Sequence, residues 1–276
     1  MPGWRVRTLL LFATLVAACA APPPPEATPF SGEVDLGGRS LFLDCAGTGP
    51  VTVVLEAGLG EDSGTWSQLR PAIGPGARVC AYDRANRGES DPGATPRTAS
   101  DVVDDLAALL DAADIQEPLV LVGHSFGGLA VRLYAARHPG DIAGIVLIDP
   151  TPTTFVEDEC DIPGQAGCAA VTAQLVPDGN PERIDWAASV AELTDAGQLP
   201  DVPVVVLTAT RHGQGEIRPE EEAVWRRRQE ELVGSLPQGR LVVVDSGHFI
   251  HLDEPEAVLE VIRLMLEALS ASPRAR

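Results

Sequence analysis

The sequence predicts an α/β fold, a mostly parallel central sheet with helices on both faces. Three observations carry that expectation. Short apolar runs of four or five residues recur along the chain, separated by stretches with helical periodicity. Residues 119–122, 145–148, 204–207 and 241–244 are apolar without alternation, as expected of strands buried on both faces of a parallel sheet. The composition is that of a globular chain, with 45% of the 276 residues hydrophobic and 22% charged, and no apolar stretch long enough to span a bilayer as a mature helix.

Residues 1–18 read as an export signal outside the fold: Arg5 and Arg7, an apolar run over 9–16, then small residues. Val16-Ala17-Ala18-Cys19 is similar to the bacterial lipobox, whose cysteine becomes the lipidated first residue. Cys19 is therefore the expected lipid anchor of an exported cell-envelope lipoprotein, held at the extracytoplasmic face of the membrane by that lipid only. Residues 19–29 form a tether whose four prolines, 22–25, favour extended polyproline II. One domain is expected over 30–270.

Within it, residues 40–45 alternate like a half-buried strand after a Gly37-Gly38 turn. Residues 51–55 and 79–82 are short apolar strands. Ser100 is the expected cap of a helix carrying Val102, Val103, Leu106, Leu109 and Leu110 on one face. A strand at 119–122 is followed by a helix over 126–138, ended by Pro139-Gly140. Strands follow at 145–148, 204–207 and 241–244. The last helix, 254–268, turns Val258, Val261, Ile262, Met265 and Leu266 inward.

Charge excludes one class of partner. Twenty arginines, and no lysine, face 40 acids, so the formal charge is −20. Such a field repels phosphate backbones, and nucleic acid is not an expected partner. Five cysteines are too few for a disulfide scaffold and are not spaced as a zinc site. The acid run Glu157-Asp158-Glu159 with Asp161 reads as solvated rather than as a calcium site, and no cofactor is indicated.

The chemistry is concentrated in Gly123-His124-Ser125-Phe126-Gly127, a G-x-S-x-G pattern. The pattern alone is only suggestive; its setting, after a buried strand and at the start of a helix, is the one it requires. The tight turn lifts the Ser125 hydroxyl above the sheet at a helix N-terminus, where the dipole favours negative charge. A serine hydroxyl is a weak nucleophile until a base takes its proton. Of five histidines, His124 lies inside the turn and is expected to point away from the reacting centre. His138 ends a helix, and His212 sits in a polar loop. His248 follows a strand directly, at the edge where open α/β sheets place their chemistry, and is the expected base. His251, three residues on, is the rival, read as a supporting or surface group.

With Ser125 and His248 in that order, the chain resembles the α/β-hydrolases over essentially all of residues 30–269. Tyr82-Asp83-Arg84 followed by Arg87-Gly88-Glu89-Ser90-Asp91 is similar to the family's loop after its fourth strand, and Gly247-His248 with Pro255-Glu256 to its approach to the last helix. The resemblance implies the α/β-hydrolase fold, a short cap insertion at about 151–200, and a third catalytic member. Two positions compete for that acid. Asp149 directly follows the strand at 145–148, the place used by some branches of the family, and is preferred. Glu216 lies about eight residues past the strand at 204–208, where the usual Gly-x-x-Asp is missing. A carboxylate at the Asp149 position would accept the histidine ring proton, fix the tautomer and stabilise the imidazolium.

The resemblance also implies two oxyanion donors: the Phe126 amide, next to the nucleophile, and the Leu59 amide, with a shift to Gly60 open. Glu56 stands where the family often has histidine and is read as a structural acceptor. By the family's strand order Cys45 and Cys80 would meet, and Cys160 and Cys168 would close a local bridge, both suited to an exported protein. The implied activity is acyl-enzyme hydrolysis of a small-molecule substrate, a carboxylic ester first. Amide or peptide, lactone and C–C bonds use the same parts, and a ligand-binding lipoprotein without turnover is the rival of another class.

Overall fold

The computed structural model describes residues 29–74, 76–116, 118–162, 167–211 and 219–271. Cys19, Glu216 and the leader and tether expectations lie outside them. The strands are β1 (Phe30–Asp35), β2 (Ser40–Ala46), β3 (Thr52–Glu56), β4 (Arg78–Tyr82), β5 (Leu119–His124), β6 (Ile142–Ile148), β7 (Val204–Arg211) and β8 (Gly239–Gly247). They form one sheet in the order β1-β2-β4-β3-β5-β6-β7-β8. The β1/β2 and β2/β4 pairs are antiparallel, and every pair from β4 to β8 is parallel.

The helices are α1 (Leu69–Ile73), α2 (Ala99–Ala112), α3 (Phe126–Arg137), α4 (Phe155–Asp161), α5 (Gly167–Leu175), α6 (Trp186–Asp195), α7 (Pro219–Gly234), α8 (Ile250–Asp253) and α9 (Pro255–Ala271). Apolar residues of α2, α3, α6 and α7 pack on one face of the sheet; those of α1 and α9 pack on the other. Strand β5 shows why its run needs no alternation. Leu119 and Leu121 belong to the first core and Val120 and Val122 to the second. Burying each such side chain stabilises the fold by about 1.5–3 kcal/mol.

The structure adds one strand and corrects two expectations. Strand β1 escaped the sequence because its face pattern is weak: five of its six residues are polar, Gly or only partly buried. It is held as a hairpin with β2 through Gly37 and Gly38, whose φ values of 85° and 128° suit glycine. Helix α2 is capped by Thr98, not Ser100; the Thr98 N–H donates to Asp101 in a capping box. Ser100 instead donates its N–H to Glu192 of α6 at 2.8 Å. The run 241–244 is not buried on both faces: β8 is the sheet edge and Val243 is 49% exposed.

Between β6 and β7 the chain forms α4, α5 and α6. Disulfide Cys160–Cys168 joins the first two, and Cys45–Cys80 joins the antiparallel neighbours β2 and β4. Asp158, part of the acid run, is taken by Arg228 of α7 at 2.6 and 2.8 Å.

Candidate active site

The parallel strands end along one edge, and Ser125, Asp149 and His248 follow β5, β6 and β8 there. Ser125 has φ 52° and ψ −118°, a conformation an L-residue holds only when its surroundings force it. The surroundings are visible at the two flanking glycines. A Cβ on Gly123 would lie 2.5 Å from the Gly127 carbonyl oxygen, and one on Gly127 2.4 Å from that of Glu56. Close backbone approach, not positive φ, therefore dictates glycine at both. The Ser125 N–H donates to the Ile148 carbonyl at 3.1 Å, tying the turn to β6. The Ser125 hydroxyl is 3.1 Å from that of Thr151, its hydrogen-bond partner in this structure, so it is turned to Thr151 rather than to His248.

Asp149 is fully buried, with φ 42°. Its Oδ2 accepts from His248 Nδ1 at 2.7 Å. Its Oδ1 accepts from the Ala209 N–H at 3.0 Å, the Trp225 indole at 2.8 Å and the Thr208 hydroxyl at 3.3 Å. Burial alone would raise its pKa, but the His248 contact, the Ala209 amide and the indole outweigh burial and hold the carboxyl below its ordinary range. With Nδ1 spent on Asp149, the His248 ring keeps Nε2 for a reacting group. Trp225 also stands edge-on to that ring, 5.7 Å between centroids.

A second carboxylate–imidazole pair lies alongside. His124 is buried, and its ring centroid is 4.8 Å from that of His248 rather than far from it. Its Nδ1 meets Glu61 Oε2 at 2.8 Å and its Nε2 meets the His248 carbonyl at 3.2 Å. Both nitrogens face acceptors, so satisfying both takes the imidazolium; burial opposes that charge and lowers the His124 pKa, while Glu61 works the other way. Burial would raise Glu61, yet the contacts to His124 and then the His251 charge hold it down to about 2. His251 is not a surface group: it is wholly buried, with Nε2 2.8 Å from the Thr65 hydroxyl and Nδ1 without a partner among the described residues. Burial, then the neighbouring His124, pushes its pKa down to about 3. Glu61, His124 and His251 bring ligand atoms within 4.8 Å of one another, a donor set a divalent cation accepts; here Glu61 and His124 close on each other and His251 on Thr65.

The loop after β3 is held from behind by Arg84. Its guanidinium donates to Glu56, to the Ala57 and Gly58 carbonyls at 2.6 Å each, and to both oxygens of Glu182 at 2.6 and 2.7 Å. Glu56, completely buried, also accepts from the Tyr82 hydroxyl, in keeping with a structural acceptor. Three of the loop amides are spent. Gly58 N–H donates to Glu61, Gly60 N–H to Glu182 at 2.6 Å, and Glu61 N–H to the Gly58 carbonyl. Among the described residues the Leu59 and Phe126 amides have no acceptor.

The structure thus brings Ser125, Asp149, His248, Leu59 and Phe126 to one edge. Thr151, Trp225, Glu61 and Arg84 were not identified from sequence as site residues. Their partners stand 26, 76, 63 and 28 positions away, beyond any local pattern.

Comparisons with known proteins agree with this architecture. The sequence profile described as alpha/beta hydrolase fold matches residues 51–184. The chain is 31% identical over 219 residues to the uncharacterised protein YqjL of Bacillus subtilis, covering 77% of this chain and 82% of that one. It is 34% identical over 162 residues to lipase LipV of Mycobacterium tuberculosis, but spans only 56% of its length and uses 59% of its own. A thermophilic esterase from Thermogutta terrifontis superposes with a TM-score of 0.58 at 22% identity, over 87% of this chain and 99% of that one, a likeness of fold. Sheet order, the strand–turn–helix at Ser125 and these matches lead to one conclusion: the chain belongs to the alpha/beta hydrolase fold family.

Proposed function

We propose that this protein is a serine hydrolase working through an acyl-enzyme, with Ser125 as nucleophile, His248 as base and Asp149 as the acid that orients it. The observation that carries the reading is the 2.7 Å contact between Asp149 and His248 Nδ1, made at the strand edge from which Ser125 projects. It favours Asp149 over Glu216, since Nδ1 has a single proton to donate.

Rotation of the Ser125 hydroxyl from Thr151 toward His248 Nε2 starts the reaction. His248 takes the proton as the oxygen attacks the carbonyl carbon, and Asp149 stabilises the resulting imidazolium. The tetrahedral oxyanion is received by the Phe126 and Leu59 amides, neither of which has an acceptor among the described residues; each such donor contributes about 3–4 kcal/mol of transition-state stabilisation. Gly60 is the poorer candidate because Glu182 holds its N–H. His248 then protonates the leaving group, and a water repeats the sequence on the acyl-enzyme. A carboxylic ester is the first substrate, a choice supported by the lipase and the esterase among the similar proteins. The mature domain is an exported lipoprotein anchored through Cys19, and its two disulfides suit an oxidising compartment.

The Ser125–Thr151 bond gives the rival reading, a ligand-binding lipoprotein without turnover, its one specific support. Fluorophosphonate labelling separates the two: wild type should label at Ser125 and Ser125→Ala should not. A panel of chromogenic esters, amides and lactones then fixes the bond, and absence of both labelling and turnover discards the proposal.

A further inference from the structure

Two arginines stand at the nucleophile helix, Arg84 over the Phe126 ring and Arg132 on the helix itself, and they are treated in opposite ways. Arg84 has carboxylates or carbonyls on all three of its nitrogens. Among the described residues Arg132, on α3 two turns beyond Ser125, has none. Its Nε is sealed from solvent without a hydrogen-bond partner, and it makes no ion pair among the described residues. Burial lowers its pKa to about 10, so it stays charged at neutral pH.

Shortage of acids does not explain this, in a chain with 40 acids and 20 arginines. What Arg132 does face is a cavity of about 210 Å³, lined also by Thr151, Thr153, Thr154, Arg228 and Glu231. The second cation there is already neutralised: Arg228 donates to Asp158 at 2.6 and 2.8 Å and to Glu231 at 2.8 Å. Glu231 lies a further 3.8 Å from Arg227 and makes no bond to Arg132. The cavity therefore keeps one unspent guanidinium among hydroxyl groups. A planar, permanently charged fork of this kind matches a carboxylate in two-point contact.

Position links the cavity to the chemistry. Thr151 is a shared wall, lining the cavity and touching the Ser125 hydroxyl at 3.1 Å. Seven residues of helix separate Ser125 from Arg132, about 10 Å of axis. Helical side chains lean toward the N-terminus, which shortens that separation. We propose that Arg132 is the anion-binding subsite of this active site, selecting acyl substrates that carry a carboxylate remote from the scissile carbonyl. The placement rests on Ser125 being the nucleophile; the binding of the carboxylate does not.

The net negative charge of the chain limits the ligand to something small. Beyond about 8 Å salt screens that field, so a single carboxylate at Arg132 answers to the local guanidinium, whereas a long polyanion would meet the acids around it.

The test is calorimetric, and independent of turnover. The full chain carrying Ser125→Ala is titrated with monomethyl half-esters of glutaric, adipic and suberic acids, and with the corresponding dimethyl esters. At least one half-ester should bind about tenfold or more tightly than its dimethyl ester, and added salt should reduce the preference. Arg132→Gln should abolish the preference, and Arg132→Lys should keep part of it. The lysine variant also serves if Arg132→Gln fails to fold: its preference must then remain above one and fall with salt. Equal binding of half-esters and diesters, or an undiminished preference in folded Arg132→Gln, overturns the subsite. Half-ester binding together with a wild type that neither labels nor turns over leaves the subsite intact and removes the serine chemistry instead.

Discussion

Asp149–His248 and Glu61–His124 are two carboxylate–imidazole pairs of nearly equal length, 2.7 and 2.8 Å, in neighbouring positions. Each uses Nδ1 toward the acid, and the rings lie 4.8 Å apart. They differ in the other nitrogen. His124 spends Nε2 on the His248 carbonyl, whereas among the described residues the His248 ring bonds Asp149 alone. The supports differ too. Asp149 accepts from four donors on β7, α7 and the His248 loop; Glu61 accepts from the Gly58 amide of the loop after β3, from His124 and, at 3.4 Å, from Thr65. An acid beside a histidine thus does not make a base. A base also needs its second nitrogen unspent, and the spent one serves to hold the first pair's loop.

The largest expected effect tests that distinction directly. His248→Ala, like Ser125→Ala, should lower kcat by about 10⁶-fold, and the double variant should be little worse, because the two act as a unit. His124→Asn, which keeps one donor, should cost only about ten- to a hundredfold, through misplacement of the His248 loop. Kinetics on a chromogenic ester would read both. If His124→Asn matched His248→Ala, the division of labour between the pairs would be lost.

The acids sharpen the same contrast at smaller scale. Asp149→Asn should drop kcat by about 10⁴-fold, since an amide permits the wrong imidazole tautomer. Glu61→Gln should lower it by about tenfold, because the amide oxygen still accepts from the Gly58 N–H. Steady-state parameters on one ester suffice. Asp149→Asn near wild-type activity would hand the role to Glu216 after all.

How much of this was legible beforehand follows the range of the forces involved. The turn at Ser125 was legible because its constraint is local: a strand, two glycines and a helix start within ten residues. Asp149 and His248 could be proposed because the ends of parallel strands share an edge. The supports could not. Nothing in Glu220-Glu221-Glu222 and Arg226-Arg227-Arg228 announces that Trp225 between them donates to Asp149, and nothing around Glu182 announces Arg84, 98 positions away. The misreadings have the same origin. The run 241–244 has the composition of a central strand, but its place at the sheet edge is set by what folds beside it. His124 and His251 looked peripheral because sequence shows neighbours along the chain, not across it.

The smallest effect concerns stability rather than rate, and separates the pairs by pH. His251, packed against His124, has a folded pKa of about 3 against an ordinary 6.5, so the unfolded chain binds the extra proton first. Stability should therefore fall as pH drops from 6.5 toward 3, by up to about 1.4 kcal/mol per pH unit for this site. His124, also depressed by burial, adds to the upper part of that window. Glu61, at about 2 against an ordinary 4.5, contributes stability that is complete above 4.5 and lost as pH falls from there toward 2. The two windows overlap but begin two units apart. His251→Gln, which keeps a group able to bond Thr65, should flatten the slope between pH 6.5 and 4.5 and leave the steeper loss below. Glu61→Gln should do the reverse. Urea unfolding midpoints at half-unit steps from pH 7 to 3 would resolve them. An unchanged upper slope in His251→Gln would mean that the ring is not held neutral, and the second cluster would then have to carry a charge beside His248 that the contrast between the two pairs does not allow.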